Sequence, residues 1–129
     1  MKLKTFIRLK CISLLLLRQA MQQISLINFI PGTYQRQWEE GLKKIRDILV
    51  ISHHDTISDL YLIKKTVVKE YVLDTIPTTE THEKEEWIAA YQTSTKQLGE
   101  LNRGRQCSFN PEKLLLFLGT VEYKRVEEK

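Results

Sequence analysis

The stretch GTYQRQWEEGLKKIRDIL, residues 32–49, carries the clearest periodic pattern in this chain. Its apolar residues recur at steps of four, four, three and four: Tyr34, Trp38, Leu42, Ile45 and Leu49. Such steps place apolar side chains on one stripe of an α-helix and leave the remaining surface to charged residues. Pro31-Gly32 interrupts the chain just before the stretch, and the Thr33 hydroxyl is suited to cap a first turn. The pattern therefore predicts an amphipathic helix over residues 33–51.

Three further segments carry helix boundaries. Thr56-Ile57-Ser58-Asp59 has the form of a capping box, and Pro77 ends the segment that follows. The carboxylates of residues 80–86 suit the positive end of a third helix, which Asn102-Arg103-Gly104 would terminate. Asn110-Pro111-Glu112 is typical of a fourth helix start. Four helices with short connections predict an all-α fold, an antiparallel up-down-up-down four-helix bundle over residues 31–129. Its main core side chains would be Trp38 and Trp87.

Residues 1–30 differ in character from the predicted bundle. Cations precede a short apolar run, CISLLLL, which is the layout of a secretory signal peptide. Arg18 ends this run early, and a small-residue cleavage pattern is missing around Ala20 and Ser25. The alternative is an amphipathic N-terminal helix that packs on the bundle. The sequence thus predicts a leader or signal-like segment at 1–30 and one helical domain at 31–129.

The net charge of +4 is unevenly distributed. Five of the 20 cations lie at the N-terminus, before any acidic residue: Lys2, Lys4, Arg8, Lys10 and Arg18. The rest of the chain holds 15 cations and 16 carboxylates, a net charge of −1. A nearly neutral domain argues against nucleic acid as a partner, since phosphate backbones select basic surfaces.

No catalytic motif stands out. His53-His54-Asp55 and the distant His82 lack a convergent third ligand for a metal, and Cys107 lacks a histidine partner nearby in sequence. A di-iron bundle would need Glu-x-x-His motifs, which the carboxylates Glu83, Glu85 and Glu86 do not form. We therefore expect a protein that is not an enzyme and binds no cofactor. A metal-dependent enzyme using the paired histidines is the more distant alternative.

The spacing of the predicted helices resembles that of the photosystem II assembly protein family Psb-twenty-seven of cyanobacteria and plastids. The matching features run in the family's order over residues 31–128: Gly32-Thr33-Tyr34, Arg46, Asp55, Glu70-Tyr71, Trp87 and Pro111-Glu112-Lys113. Two features depart from the family pattern. Cys11 precedes the apolar run instead of following it as a lipidated cysteine would, and Glu100-Leu101 stands where a His-Tyr pair is usual.

This resemblance implies a non-catalytic accessory factor in the thylakoid lumen, peripheral to the membrane. Such factors bind immature photosystem II during assembly and repair, through the lumenal loop of the smaller chlorophyll-binding antenna subunit. A monomer is expected, and the partner contacts would include Arg46, Asp55, Arg103 and Arg105. The alternative from another class is a cytoplasmic helical adaptor or regulator whose N-terminal segment is a fifth structural helix.

Overall fold

The chain is a β-barrel protein in a computed structural model that describes residues 26–55, 59–71 and 80–127. Eight strands make up most of the described residues: β1 (Gly32–Glu40), β2 (Lys43–His53), β3 (Leu60–Tyr71), β4 (Glu80–Gln92), β5 (Gln97–Glu100), β6 (Gln106–Asn110), β7 (Leu115–Leu118) and β8 (Val121–Val126). Each strand pairs antiparallel with the next along the chain. The prediction of an all-α four-helix bundle is therefore wrong.

The barrel closes where β8 pairs with β1. The register joins Thr33 to Val126, Tyr34 to Arg125 and Gln35 to Lys124. Beyond Gln35 and Lys124 the two strands no longer pair, although β1 continues to Glu40 and β8 begins at Val121. The closing seam is therefore short.

One half of the barrel interior is an apolar core. Directly opposed residues of paired strands share a face, so Tyr34 lies with Leu49, and Ile51 lies with Ile63. The largest aliphatic, aromatic and thiol side chains of the barrel that are less than 2 % exposed are Tyr34, Leu49, Ile51, Tyr61, Ile63, Leu98, Cys107, Leu116 and Tyr123. Burial of an apolar side chain of this size stabilises a fold by about 1.5–3 kcal/mol. These side chains fill the interior and hold the strands in register.

The first predicted helix is a hairpin in the structure. Its apolar steps are compatible with the period of a helix and with the period of a strand. Tyr34 and Trp38 are four residues apart, as are Ile45 and Leu49, and an even step also keeps two residues on one face of a strand. The single odd step, from residue 42 to 45, crosses the turn between β1 and β2. Gly41 occupies the first position of that two-residue turn with φ 58°, where glycine is favoured in type II′ hairpins.

The other predicted helices are also strands. Residues 60–71 of the second are β3. Residues 56–58 of its proposed capping box at 56–59, and its end at Pro77, lie outside the described residues. The acidic start of the third is β4, whose residues 80–86 are all exposed. These residues pair with β3, whereas the pairing with β5 covers only residues 89–92, so one side of the segment is an edge. Charged side chains suit an edge because they discourage pairing with another chain. The third segment's predicted end, residues 102–104, lies in the β5–β6 connection.

The motif predicted to start the fourth helix makes the capping hydrogen bond expected of it, but no helix follows. The Asn110 side chain accepts a hydrogen bond from the backbone N–H of Lys113 at 3.2 Å, as an N-cap would. The chain then turns instead of continuing, because Leu114 N–H donates to the Pro111 carbonyl and Leu114 takes a left-handed φ of 58°. The motif therefore forms the β6–β7 turn, and both strands beside it pair in the sheet.

The chain divides into two compact units, Met1–Ile30 and Pro31–Lys129. The described part of the first is a helical turn at residues 26–29, in which Ile30 N–H donates to the Leu26 carbonyl. The predicted signal-like run and Cys11 lie outside the described residues. Within the described ranges, no helix has the length and apolar character needed to cross a membrane.

Candidate ligand-binding site

A buried carboxylate, that of Asp47, lies at the centre of a charged layer inside the barrel. Asp47 is on the inward face of β2, between the buried residues Ile45 and Leu49 of the same face, and is 1 % exposed. Its Oδ2 accepts a hydrogen bond from the Tyr123 hydroxyl at 2.7 Å and another from Arg36 Nε at 3.1 Å. An unpaired buried carboxylate would be costly, so these contacts are what allow Asp47 to stay in the interior.

The second carboxylate oxygen of Asp47, Oδ1, differs from Oδ2 in its hydrogen bonding. Oδ1 is also buried, but it accepts no hydrogen bond from any residue that the structure describes. Leaving a buried acceptor without a donor costs free energy comparable to a lost hydrogen bond. Oδ1 is therefore the atom at which an added donor would be most favourable.

Two cations surround this carboxylate and retain donors of their own. Lys65 Nζ lies 3.7 Å from Asp47 Oδ2, an ion pair longer than a hydrogen bond. Arg36 uses Nε for Asp47 and also makes a side-chain hydrogen bond with Tyr123. The side chains of Arg36 and Lys65 are 36 % and 23 % exposed. Arg36 lines the groove at the β1–β8 seam, whereas Lys65 lines a separate groove on β3 and β4.

Aromatic rings fix the position of the Arg36 guanidinium. Its central carbon lies 4.2 Å from the ring centroid of Trp38 and 5.5 Å from that of Tyr123. Such cation–π contacts favour a charge over the ring face. Burial raises the pKa of Tyr123, and its hydrogen bond to Asp47 raises it further. The phenol therefore stays protonated as a donor to the carboxylate at neutral pH.

A second ionic cluster lies beside the first and is balanced. Arg105 Nε and Nη2 donate to Glu100, and Nη2 also donates to Glu85 at 2.9 Å. Its guanidinium stacks 3.8 Å from the Trp87 ring centroid. These hydrogen bonds lower the pKa of both glutamates and raise that of Arg105. With Arg103 Nη1 3.7 Å from Glu85, two cations face two carboxylates.

The cluster around Asp47 brings two cations to one buried carboxylate. Lys65 also acts on Glu85, its cross-strand partner, whose pKa its charge lowers together with the hydrogen bond from Arg105. The groove over the unpaired part of the seam has a volume of about 330 Å³. Arg36 lines it together with Lys124, Arg125 and one carboxylate, Glu122. The site is therefore electropositive and suits an anion.

The four predicted partner contacts lie in different places. Arg46 is on the outward face of β2, 3.8 Å from Glu80, and Asp55 follows the other end of that strand, 76 % exposed. Arg103 and Arg105 come together on Glu85. Both belong to the second ionic cluster, in which Arg105 joins β4 to β5 through Glu85 and Glu100. These four residues therefore do not form one surface, and whether any of them contacts a partner stays a prediction.

The histidines and the cysteine named from the sequence are separate from this layer. His53 stacks on Tyr61 with ring centroids 4.9 Å apart, whereas His54 pairs with Asp55. Across the described ranges, His, Cys, Asp and Glu side chains do not come together in groups of three or more as a metal site needs. Cys107 is buried, and this burial raises the pKa of its thiol to about 12. A group with so little thiolate is a poor nucleophile.

Sequence reasoning missed Asp47, Arg36, Lys65 and Tyr123. On a helix, Asp47 and Arg36 belong to the solvent-facing charges around the apolar stripe. The available signal was the inward series of β2, in which Asp47 occupies the position between Ile45 and Leu49 at a period of two. A carboxylate in such a series indicates a buried charge with partners on other strands.

The fold and site together define the class: a small closed up-and-down β-barrel with an apolar half and a charged layer. No family model, characterised protein or solved structure matches the chain. The resemblance to the photosystem II assembly proteins stays a prediction about family, but the helix spacing that carried it is contradicted, since those positions lie in strands and turns.

Proposed function

We propose that this protein binds a small anionic ligand at the charged layer, through Arg36. The observation that carries the proposal is the meeting of two partly exposed cations with a single buried carboxylate. Arg36 offers terminal N–H groups in a planar arrangement that matches a carboxylate or a phosphate. Asp47 and the two aromatic rings hold this guanidinium in place, which reduces the entropy lost on binding.

The apolar half of the barrel argues for a ligand at the layer instead of deep inside. Tyr34, Leu49 and Leu116 are fully buried, and the Tyr34 ring centroid is 6.1 Å from that of Phe109. Side chains thus occupy the space that a larger barrel would offer to a ligand. The ligand would instead contact the Arg36 guanidinium and the adjacent Trp38 ring from the groove at the seam.

The test is a titration of the full chain with acetate, followed in two-dimensional NMR spectra by the indole N–H signal of Trp38. Sodium chloride of equal ionic strength serves as the reference. We expect a saturable shift in the native protein and in Arg46→Gln, whose guanidinium is on the outward face of the same sheet. Arg36→Gln should abolish the shift. An equal response in both variants, or none in the native protein, would overturn the proposal.

Two earlier predictions stand beside this proposal. A non-catalytic role on immature photosystem II in the thylakoid lumen, and a cytoplasmic adaptor role, remain predictions about partner and location. No contact among the described residues bears on either, and the proposed binding of a small anion depends on neither.

A further inference from the structure

We infer that the anion is the carboxyl end of an extended peptide, which pairs as an added strand with the open edge of β1. This inference rests on the proposed function and names the class of its ligand. The observation behind it is the set of backbone groups that face the groove at the seam and have no partner strand there, since β1 and β8 pair at three positions only.

The backbone groups of β8 alternate between its two neighbouring strands. Arg125 N–H donates to the Leu114 carbonyl on the β7 side. Residues an odd number of positions away along an antiparallel strand point their N–H and C=O groups to the opposite side, so those of Lys124 and Glu122 face β1. Lys124 has its partner there in the register of the seam, whereas Glu122 lies beyond the last pair.

The longer open edge belongs to β1. Gln35 is the partner of Lys124, so the backbone groups of Gln37 and Glu39, two and four positions further on, also face the seam. The pairing with β8 ends at Gln35, whereas β1 continues to Glu40. Two residues of β1 therefore offer N–H and C=O groups to an added strand, which is how extended peptides bind to sheet edges.

Charge selects the end of the peptide that binds. The groove between these strands, about 330 Å³ in volume, is lined by three cations, Arg36, Lys124 and Arg125, and one carboxylate, Glu122. Such a surface favours the carboxylate end of a peptide over its ammonium end. Arg125 already donates to the Pro31 carbonyl at 3.2 Å, so we assign the carboxylate to Arg36 and Lys124.

The position of Lys124 then sets the direction of the peptide. Lys124 is exposed and lies at the last paired position of the seam, where the gap between the strands begins. A peptide whose carboxylate lies there runs antiparallel to β1, with its second-last residue opposite Gln37. That residue can exchange two hydrogen bonds with Gln37, as in an antiparallel sheet.

The experiment compares N-acetyl-trialanine with acetate by calorimetry on the full chain. We expect the peptide to bind about tenfold more tightly, because its middle alanine adds backbone hydrogen bonds to Gln37. N-methylation of the middle alanine removes one donor and should cost most of this advantage. N-methylation of the first alanine, whose N–H points away from β1, is the matched control and should not. Replacing the terminal carboxylate by an amide should weaken binding about tenfold or more.

Variants of the protein test the same contacts from the other side. Arg36→Gln should abolish the binding of both probes, as the proposed function requires. Lys124→Gln should weaken both about threefold and keep their ratio, the size expected for an exposed charge pair. Lys64→Gln, at an exposed position of β3, is the control and should change neither. Gln37→Pro removes an N–H on the open side of β1, and should bring the peptide close to the affinity of acetate.

The outcomes separate the two proposals. Saturable acetate binding that is lost in Arg36→Gln, without tighter binding of the peptide, would overturn the peptide inference and leave the anion site intact. Equal losses from the two N-methylated peptides would also overturn it, because the peptide would then not pair with β1. If neither probe binds, or if Arg36→Gln binds both unchanged, the proposed function fails as well.

Discussion

The Tyr123 hydroxyl donates a buried 2.7 Å hydrogen bond to Oδ2 of Asp47, across 76 residues of sequence. It joins the last strand of the barrel to the second and crosses the seam at which the sheet closes. Because β8 and β1 pair through only three residue positions, side-chain contacts such as this one supply part of what holds the closure. The same bond anchors the carboxylate on which Arg36 is positioned.

Tyr123→Phe is expected to lower the free energy of unfolding by about 1.5–3 kcal/mol, the range for a hydrogen bond to a charged group. The ring still fills the interior, so the loss comes from the hydroxyl alone. Urea denaturation followed by circular dichroism measures it. Tyr71→Phe, at an exposed position at the end of β3, is the control and should change stability by less than about 0.5 kcal/mol. Equal effects of the two variants would contradict the role of the Asp47 contact.

Acid should weaken the barrel through Glu100. The hydrogen bond from Arg105 lowers the pKa of this buried glutamate, against the opposing effect of burial. A carboxyl group whose pKa is lower in the folded state contributes stability above its unfolded pKa, about 4.3. That contribution is lost as the pH falls through the folded pKa.

We therefore expect Glu100→Gln to be less stable than the native protein at pH 7, and the difference to shrink at pH values below about 4. Urea unfolding at a series of pH values gives this slope. Glu112→Gln, in the exposed β6–β7 turn, serves as the matched control and should show the native pH dependence. A difference between Glu100→Gln and the native protein that stays constant with pH would refute the assignment.

Local chemistry was predictable from the sequence where it depends on neighbours in the chain. The Asn110 side chain makes the bond to residue 113 that its motif predicts. The prediction of helices was wrong because the spacing of the apolar residues was assigned to the helical period. Apolar steps of four satisfy a helix and a strand equally, and the interior glycine at residue 41, which costs about 1 kcal/mol in a helix, was the local sign against a helix.

The charged layer could not be read from the sequence because its members come from distant segments. Asp47 and Tyr123 lie on β2 and β8, and Arg36 and Lys65 lie on two further strands. Each by itself is a charged or phenolic residue in an amphipathic pattern. Only the register of the closed sheet brings them to one level of the barrel interior.

Gly41→Ala tests the hairpin that replaced the first predicted helix. Gly41 has φ 58° and no atom within 4 Å of the position a Cβ would take, so only backbone strain opposes the substitution. We expect a loss of about 1–2 kcal/mol in the free energy of unfolding, the cost of a left-handed conformation for an L-residue. Leu42→Ala, at the other turn position and 59 % exposed, should change stability by less than about 0.5 kcal/mol. A stabilising effect of Gly41→Ala would favour a helix there.

Cys107 should resist thiol reagents as long as the barrel is folded. It is 1 % exposed on β6, so a reagent has little access to its sulfur. Burial raises its pKa to about 12, so only a very small fraction of the thiol is deprotonated at pH 8. Labelling with Ellman's reagent measures this, in a Cys11→Ser background that leaves one thiol to count. We expect slow labelling that accelerates with urea in step with unfolding, since exposure requires the strands around Cys107 to separate. Rapid stoichiometric labelling without urea would contradict the burial of this thiol. In the Tyr123→Phe variant, Cys107 should be labelled faster than in the native protein, because the less stable barrel opens more often.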